Sequence, residues 1–297
     1  MAVGRTAIDA VEDSVPKIIA AARLTREQVG VMTQCVDRKT LGRNTGTDWH
    51  EISLASLTAQ DVTEQTELDN PQQLSDTLFT ITPTVIGIHI FMTNRVAIRI
   101  ARNVAELARS GRLAQNAIER KKDQDGLTAI DGFTTALGAA GSSLTSGHIR
   151  AARTRITSNT TEPAPDGDIF GVFHGFQMKD IEDELLQPSS GALAAQPQSA
   201  AAMKVFTNGF VGKVGTVVMK EDGNLTIDSS DDAKGGVFHR QALVLVQGRS
   251  PYVLTRQEPH IGGGGVSIFH YDEYAYGERS SGNWGFEVIS DATAPTS

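Results

Sequence analysis

The sequence predicts an α+β fold, in which helices and strands alternate irregularly and do not form a regular βαβ series. One segment has the helical period, with apolar residues at spacings of three and four from Val96 to Ile118. Several other segments, such as residues 169–174 and 266–276, are apolar or alternating and have the character of strands. A chain of 297 residues can hold one elaborated domain or two ordinary ones.

Residues 14–41 predict a mixed helical and extended arm, and the segment after it predicts extended structure with little core of its own. Residues 47–57 and 60–68 have strand character, and the second stretch is almost wholly polar. Residues 76–90 follow as a long β run. Together, residues 42–80 predict a poorly buried β-hairpin that projects from the body. Because an isolated hairpin is only marginally stable in water, it needs another surface to lie on.

The middle of the chain predicts a long helix over residues 94–122 and then a connection over 123–147, which is rich in Gly, Ala, Ser and Thr. A short helix is expected over 145–156 with Ser146 as its N-cap. A buried strand is expected over 169–174.

The last part of the chain predicts a helix and several strands. The helix is expected over 178–186, and glycine-punctuated strands over 206–220. Residues 236–247 are apolar and fit either a strand or a helix. Two closing strands are expected over 266–276 and 283–289.

Charge is unevenly distributed along the chain. The 27 Lys and Arg and 35 Asp and Glu give a net charge of −8. Residues 92–122 contain eight basic and two acidic side chains, a balance of +6, so the remainder carries −14. The basic residues fit either a solvated helix face or a contact with acidic surface on a neighbouring chain. An acidic protein is not expected to hold nucleic acid tightly, since nonspecific binding depends on cations.

Several classes of protein do not fit the composition. The most apolar run, residues 84–92, is far shorter than the roughly 20 residues of a membrane-spanning helix. The N-terminus has no basic and apolar secretory pattern, and the single Cys35 allows neither an internal disulfide nor a four-ligand zinc site around it. We therefore expect a soluble protein made in the cytoplasm, with no metal and no cofactor.

No catalytic motif is present in the sequence. There is no phosphate-binding loop, no serine nucleophile elbow and no His-Glu-x-x-His zinc helix. The seven histidines are dispersed. We expect no enzyme; the enzyme alternative would need a site assembled in space around His174, His239 or His270.

The order of these features, together with three phrases, carries a resemblance to a known family. The phrases are Phe-Gly-Val-Phe-His at 170–174, Asn-Gly-Phe-Val-Gly-Lys-Val-Gly-Thr-Val-Val at 208–218 and Phe-His-Arg-Gln-Ala at 238–242. The chain resembles the Hong Kong 97-like major capsid proteins of tailed double-stranded DNA bacteriophages. The resemblance implies these divisions: N-terminal arm 1–41; E-loop hairpin 42–80; peripheral domain 81–180 with spine helix 94–122; axial domain 181–250; and return to the peripheral domain with a C-terminal tail, 251–297.

The resemblance also implies a function. The chain would self-assemble into hexamers and pentamers of an icosahedral shell that encloses viral DNA without sequence-specific binding. It would assemble in the host cytoplasm, reside in the virion, and have a separate scaffolding protein, a portal and a decoration protein as possible partners. The alternative is an encapsulin-type compartment shell around a cargo enzyme. No lysine lies between Gly42 and Leu78, so covalent crosslinking through a hairpin lysine is not expected.

Contacts between subunits are expected to pair the basic helix with acidic residues of neighbours. The basic candidates are Arg95, Arg99, Arg102, Arg109 and Arg112, and the acidic candidates are Asp61, Glu64, Glu67, Asp231 and Asp232.

Overall fold

A computed structural model describes residues 29–59, 61–64, 71–94, 104–186, 212–261, 263–280 and 282–296. The helices in these ranges are α1 (Met32–Cys35), α2 (Val104–Asp131), α3 (Ser146–Thr157) and α4 (Gly175–Leu186). The strands are β1 (Asp37–Thr40), β2 (Trp49–Leu54), β3 (Asp76–Ile81), β4 (Thr84–Thr93), β5 (Ala136–Gly138), β6 (Ile169–Phe173), β7 (Lys213–Val214), β8 (Val217–Glu221), β9 (Asp232–His239), β10 (Leu243–Glu258), β11 (Gly265–Glu278) and β12 (Gly285–Asp291). The mixture of helices and strands agrees with the predicted α+β class.

The strands form three sheets. A six-stranded sheet has the order β5-β12-β9-β6-β8-β7, and a four-stranded sheet has the order β1-β10-β11-β4. The third sheet consists of β2 and β3 alone, paired antiparallel with Trp49 opposite Ile81. The hairpin therefore forms no ladder with the rest of the described chain.

The six-stranded sheet is covered on both faces. All five residues of β6 are buried, as expected for a central strand with apolar cover on each side. Phe173 belongs to a cluster with Ile149 and Ile156 of α3, whereas Phe170 belongs to a second cluster with Ile130 of α2. The core of the molecule thus lies in two layers on either side of this sheet.

Helix α2 spans both larger sheets. Its 28 residues measure about 42 Å at 1.5 Å per residue. Lys122, near its middle, pairs with Asp272 of β11 in the four-stranded sheet. Ile130, near its end, lies against Gly236 of β9 in the six-stranded sheet, where a Cβ on the glycine would come within 2.4 Å of it. The helix therefore ties the two sheets together.

The end of the long helix differs from the sequence prediction. The helix continues to Asp131, through residues predicted to be a connection, and residues 95–103 of its predicted start lie outside the described part. Leu127 and Ile130 extend the buried face of the helix, but Asp123 and Gly126 occupy that face in the preceding helical turn. Those two positions interrupt the apolar pattern, although Asp123 is itself buried.

The hairpin also differs in its strands. The predicted strand over 60–68 is wrong within the described residues 61–64, which are not in a strand. The strand that pairs with β2 is β3, at 76–81. The long β run predicted over 76–90 is divided at Pro83, since proline lacks the N–H that a continuing ladder would use. After Pro83 the chain enters the four-stranded sheet as β4.

Most other elements agree with the predictions. Helix α3 is confirmed, but its N-cap is Thr145 and not Ser146, which is already the first helical residue. The closing strands β11 and β12 are confirmed. Residues 236–247, for which the sequence fitted either a strand or a helix, form the end of β9, a turn and the start of β10. Strand β10 continues through residue 250, where the axial domain was predicted to end. None of the described helices has an apolar stretch long enough to cross a membrane.

Candidate assembly surface

The base of the β2–β3 hairpin is anchored on its own chain. Ile81 packs in a small apolar cluster with Val244 and Val246 of β10, and Trp49 and Phe79 pack against that cluster. All three hairpin residues lie on one face, because Trp49 is opposite Ile81 and Phe79 is opposite Glu51.

An arginine completes this anchor. Arg279, which follows β11, places its guanidinium 2.9 Å from the carboxylate of Glu51 in β2 and 2.9 Å from that of Asp37 in β1. Its side chain is only 11% exposed. One arginine therefore links the hairpin to the strand that leads out of the N-terminal region.

The opposite face of the hairpin carries three uncovered apolar side chains, beside His50, Thr80 and Asp76. Ile52 and Leu78 are direct cross-strand partners and are 61% and 58% exposed; Leu54, on the same face, is 67% exposed. We call Ile52, Leu54 and Leu78 the outer face. No described residue of the chain covers these side chains.

The loop beyond the strands has the same character. Leu57, Val62 and Leu74 are each more than half exposed. Thr58 and Gln72 hydrogen-bond across the loop. The Thr58 backbone N–H donates to the side-chain Oε1 of Gln72 at 2.9 Å. Apolar side chains exposed together in this way are typical of a surface that contacts another macromolecule.

The hairpin is also strongly acidic. Residues 42–81 contain one arginine and seven acidic residues, a balance of −6. This balance is equal and opposite to the +6 of residues 92–122. The two segments are therefore complementary in charge.

Half of the predicted contact residues have described side chains. Arg112, Asp61, Glu64 and Asp231 are exposed. Asp232 is buried, at 5% exposure, and its carboxylate accepts a hydrogen bond from the Gly141 N–H at 2.6 Å. It has an internal role, in contrast to the exposed contact that was predicted. Arg95, Arg99, Arg102 and Glu67, and the side chain of Arg109, lie outside the described part.

Two of the basic residues on the long helix are used within the chain. Lys121 pairs with Asp125 one turn further along the helix. Lys122 is buried and its Nζ lies 2.6 Å from the Asp272 carboxylate. No sequence feature indicated that Lys122 faces inward, because charged residues are rarely buried unless paired.

The histidines named for the enzyme alternative do not share a site. His239 is paired with Ile169 at the start of β6, whereas His174 follows the end of that strand, so about 17 Å of strand separates them. Burial lowers the pKa of both imidazoles. His270 lies in the other sheet. Within the described residues, no group of His, Cys, Asp and Glu could hold a metal ion.

The sequence itself matches no protein-family model and no curated protein. The fold, however, is similar to solved phage structures. A structure of Mycobacterium phage Che8 aligns with a TM-score of 0.69 and 16% identity, over 92% of this chain and 95% of that chain. The capsid structure of cyanophage P-SCSP1u aligns with a TM-score of 0.68 and 11% identity, over 92% and 91%. The capsid of Ralstonia phage GP4 aligns with a TM-score of 0.66 and 14% identity, over 93% and 94%.

These alignments cover almost the whole of both partners in each comparison. The chain therefore has the fold of phage capsid chains. The outer face of the hairpin and its Arg279 anchor were not singled out from the sequence. Alternation in Trp-His-Glu-Ile-Ser-Leu, residues 49–54, is the signal that could have identified the outer face. No local pattern indicates the Arg279 anchor.

Proposed function

We propose that this chain is the major capsid protein of a tailed double-stranded DNA bacteriophage and has the Hong Kong 97-like form of the capsid fold. Many copies assemble into the hexamers and pentamers of an icosahedral shell. In this proposal residues 42–80 are the E-loop, the helix ending at Asp131 is the spine helix, and residues 181–250 belong to the axial domain.

The observation that carries the proposal is the uncovered outer face of the hairpin. A two-stranded sheet is marginal in water by itself, and the described part of the chain holds this one at its base. Burying one large apolar side chain contributes about 1.5–3 kcal/mol, so covering Ile52, Leu54 and Leu78 with a second copy stabilises both the hairpin and the assembly.

Charge supports the same arrangement. The acidic hairpin of one copy complements the basic segment 92–122 of another, and exposed Arg112, Asp61 and Glu64 are the described candidates for this contact. Complementary charge of this kind guides orientation and encounter more than it adds affinity.

In this proposal the shell encloses the DNA without binding it tightly. A net charge of −8 confines DNA without binding it strongly, because few cations are left to neutralise phosphates. A separate scaffolding protein, a portal and a decoration protein are the partners expected for such a shell, which assembles in the host cytoplasm and then forms the virion.

Electron microscopy of the purified chain, alone and with any scaffold, tests the proposal. Leu78→Asp should abolish capsomers and shells, because it places a charge in the centre of the outer face. Its thermal stability as a free chain should stay within about 0.5 kcal/mol of wild type, since Leu78 is exposed there.

Thr77→Asp is the matched control. Thr77 is the neighbouring exposed residue of the same strand and points to the opposite face, so the same charge should leave assembly intact. A wild-type chain that never forms capsomers or shells, or a Leu78→Asp variant that assembles like wild type, would overturn the proposal.

Analysis of what the particles contain distinguishes the phage capsid hypothesis from the encapsulin alternative. Particles isolated from cells that carry the complete set of head genes should contain nuclease-resistant DNA. Particles that hold a cargo enzyme and no DNA would support the compartment reading, which the comparisons do not favour because the reported capsid structures are from phages.

A further inference from the structure

Two buried carboxyl groups meet where the N-terminal region joins the body of the molecule. Asp123 of α2 and Asp222, which follows β8, are each 1% exposed. Asp123 accepts a hydrogen bond from the Met32 N–H at 3.0 Å, and Asp222 accepts one from the Val31 N–H at 3.1 Å. The two acids therefore hold the N–H groups of consecutive residues at the start of α1.

Asn224 joins the same cluster. Its side-chain NH2 donates to Asp123 at 3.0 Å, and its backbone N–H donates to Asp222 at 2.9 Å. The chain lies so close to Asp123 that a Cβ on Gly30 would stand 2.1 Å from the carboxyl carbon. Only glycine permits this approach, so residues 29–32 are fitted to the carboxyl group.

The two carboxyl groups share Asn224 as a hydrogen-bond partner, so they are neighbours and cannot both carry a full charge without cost. Burial, followed by the charge of Asp222, raises the pKa of Asp123 to about 7. A neighbouring like charge and loss of water both favour the neutral form of a carboxyl group.

The other charged groups around the pair do not remove this conflict. The titratable and charged neighbours come from α1, β1, the remainder of α2, β8, the turn before β10, and β11. They are Cys35, Arg38, Glu119, Asp125, Lys220, Arg240 and Tyr276. His174, which follows β6, also faces Asp222; burial lowers the pKa of this imidazole, and the charges of Glu221 and Asp222 oppose that effect. Among the influences on Asp123, the neighbouring acid ranks above the hydrogen bonds from Met32 and Asn224 that favour its charged form.

We propose that Asp123, held beside Asp222, forms a proton-operated latch, which fastens residues 29–35 to helix α2 while Asp123 keeps a proton and releases them when that proton is lost. The proton passes from Asp123 to water, and no covalent bond changes. The proposal concerns this junction alone and does not depend on the chain forming a shell.

The direction of the pH effect follows from linkage. The fastened form keeps its proton up to a pKa of about 7, whereas a released Asp123 has the ordinary value of 3.8. Between these two pKa values the fastened form binds more protons than the released form, so the free energy of fastening becomes less favourable as pH rises. Above about pH 7 both forms have lost the proton, and the free energy of fastening no longer changes with pH. From pH 6 to pH 8 the released fraction should rise about tenfold.

The single cysteine provides a native probe of this release. Cys35, at the end of α1, is fully buried, and burial raises the pKa of its thiol to about 12, so it is unreactive while the segment is fastened. The rate at which a disulfide reagent such as 4,4′-dithiodipyridine labels the full chain would be measured from pH 6 to pH 8. Dividing by the Asp123→Asn rate at each pH cancels the thiol's own pH dependence.

The ratio of wild-type to Asp123→Asn labelling rates should rise about tenfold over this range, since the amide holds the segment without a titratable proton. Asp166→Asn, which makes the same change at an exposed position, should follow wild type throughout. A ratio that stays constant with pH would overturn the latch.

Hydrogen exchange keeps the test decisive if Asp123→Asn does not fold. In the wild-type chain, amide protection of residues 31–35, corrected for the intrinsic exchange rate, should fall from pH 6 to pH 8. Protection of Ile149–Ile156 in α3 should not change. Equal behaviour of the two segments would rule the latch out.

Discussion

At the scale of single residues, the buried pair of Lys122 and Asp272 is central to the packing of α2. The side chains are 7% and 0% exposed and their charged atoms are 2.6 Å apart. Gln247 donates to Asp272 and accepts a 3.4 Å hydrogen bond from Lys122. Lys122 also lies 5.0 Å from the centre of the Tyr274 ring. The pair therefore has hydrogen-bonding partners that offset part of its desolvation.

Removing one partner leaves a buried charge without compensation. Lys122→Ala should lower the free energy of unfolding by about 3–5 kcal/mol, measured by chemical denaturation. Lys121→Ala is the control, because the Lys121–Asp125 pair is largely exposed and is worth less than about 1 kcal/mol. Similar losses for the two variants would contradict a special role for the buried pair.

These residues also show where sequence reasoning reaches its limit. The apolar face of α2 was predicted correctly at Ala114 and Ile118, which are buried. It then passes through Lys122, Asp123 and Gly126, which have no apolar side chain. Their burial depends on partners at Asp272, Met32 and Tyr276 that are distant in sequence, so no local pattern could reveal it.

At the scale of elements, Gly126 determines how closely α2 packs. A Cβ at this position would stand 2.9 Å from the Met32 Cβ and 3.0 Å from the Tyr276 hydroxyl. The glycine that made the segment resemble a loop in the sequence is thus required for contact between three elements, namely α1, α2 and β11.

The same substitution should have opposite effects in two helices. Gly126→Ala should destabilise the chain by about 1–3 kcal/mol through overpacking, even though alanine favours helix formation. Gly147→Ala, at an exposed position in α3, should stabilise it by up to about 1 kcal/mol. Thermal or urea denaturation of both variants would measure this, and a stabilised Gly126→Ala chain would show that the close contact is not restrictive.

The hairpin illustrates what element-level prediction could and could not provide. Its existence, its exposed position and its need for a supporting surface followed from the polarity of residues 42–80. Its register did not, because the strand-like residues 60–68 competed with the true partner β3. Pairing is decided by Phe79 and Ile81, whose apolar contacts with β10 could be known only from the fold.

At the scale of the whole molecule, charge separates into complementary parts. The acidic hairpin and the basic segment that precedes and begins α2 have opposite balances of six charges. The sequence showed the basic segment directly, and it offered acidic partners in two places, three on the hairpin (Asp61, Glu64 and Glu67) and two at 231–232. Within the described residues, the structure places five acidic residues on one projecting hairpin, namely Asp48, Glu51, Asp61, Glu64 and Asp76.

Exposure of the hairpin predicts a difference between free and assembled chains. A glutamate-specific protease should cleave the free chain rapidly after Glu64, since residues 61–64 are all exposed. In assembled particles the cleavage should slow by about tenfold or more, because the loop is covered by a neighbour. Mass spectrometry of the fragments, compared between free and assembled chains at equal protease concentration, would measure this. Equal cleavage of free and assembled chains would contradict coverage of the hairpin.

The narrow attachment of the hairpin also has a mechanical consequence. Its strands extend about 20 Å from a base that consists of Arg279 and three apolar side chains. If the hairpin tilts by a few degrees about Glu51, its far end moves several times further than its base. Helix α2 and the two larger sheets keep their packing during this tilt. One amino-acid sequence can thereby meet neighbours set at different angles without altering its core.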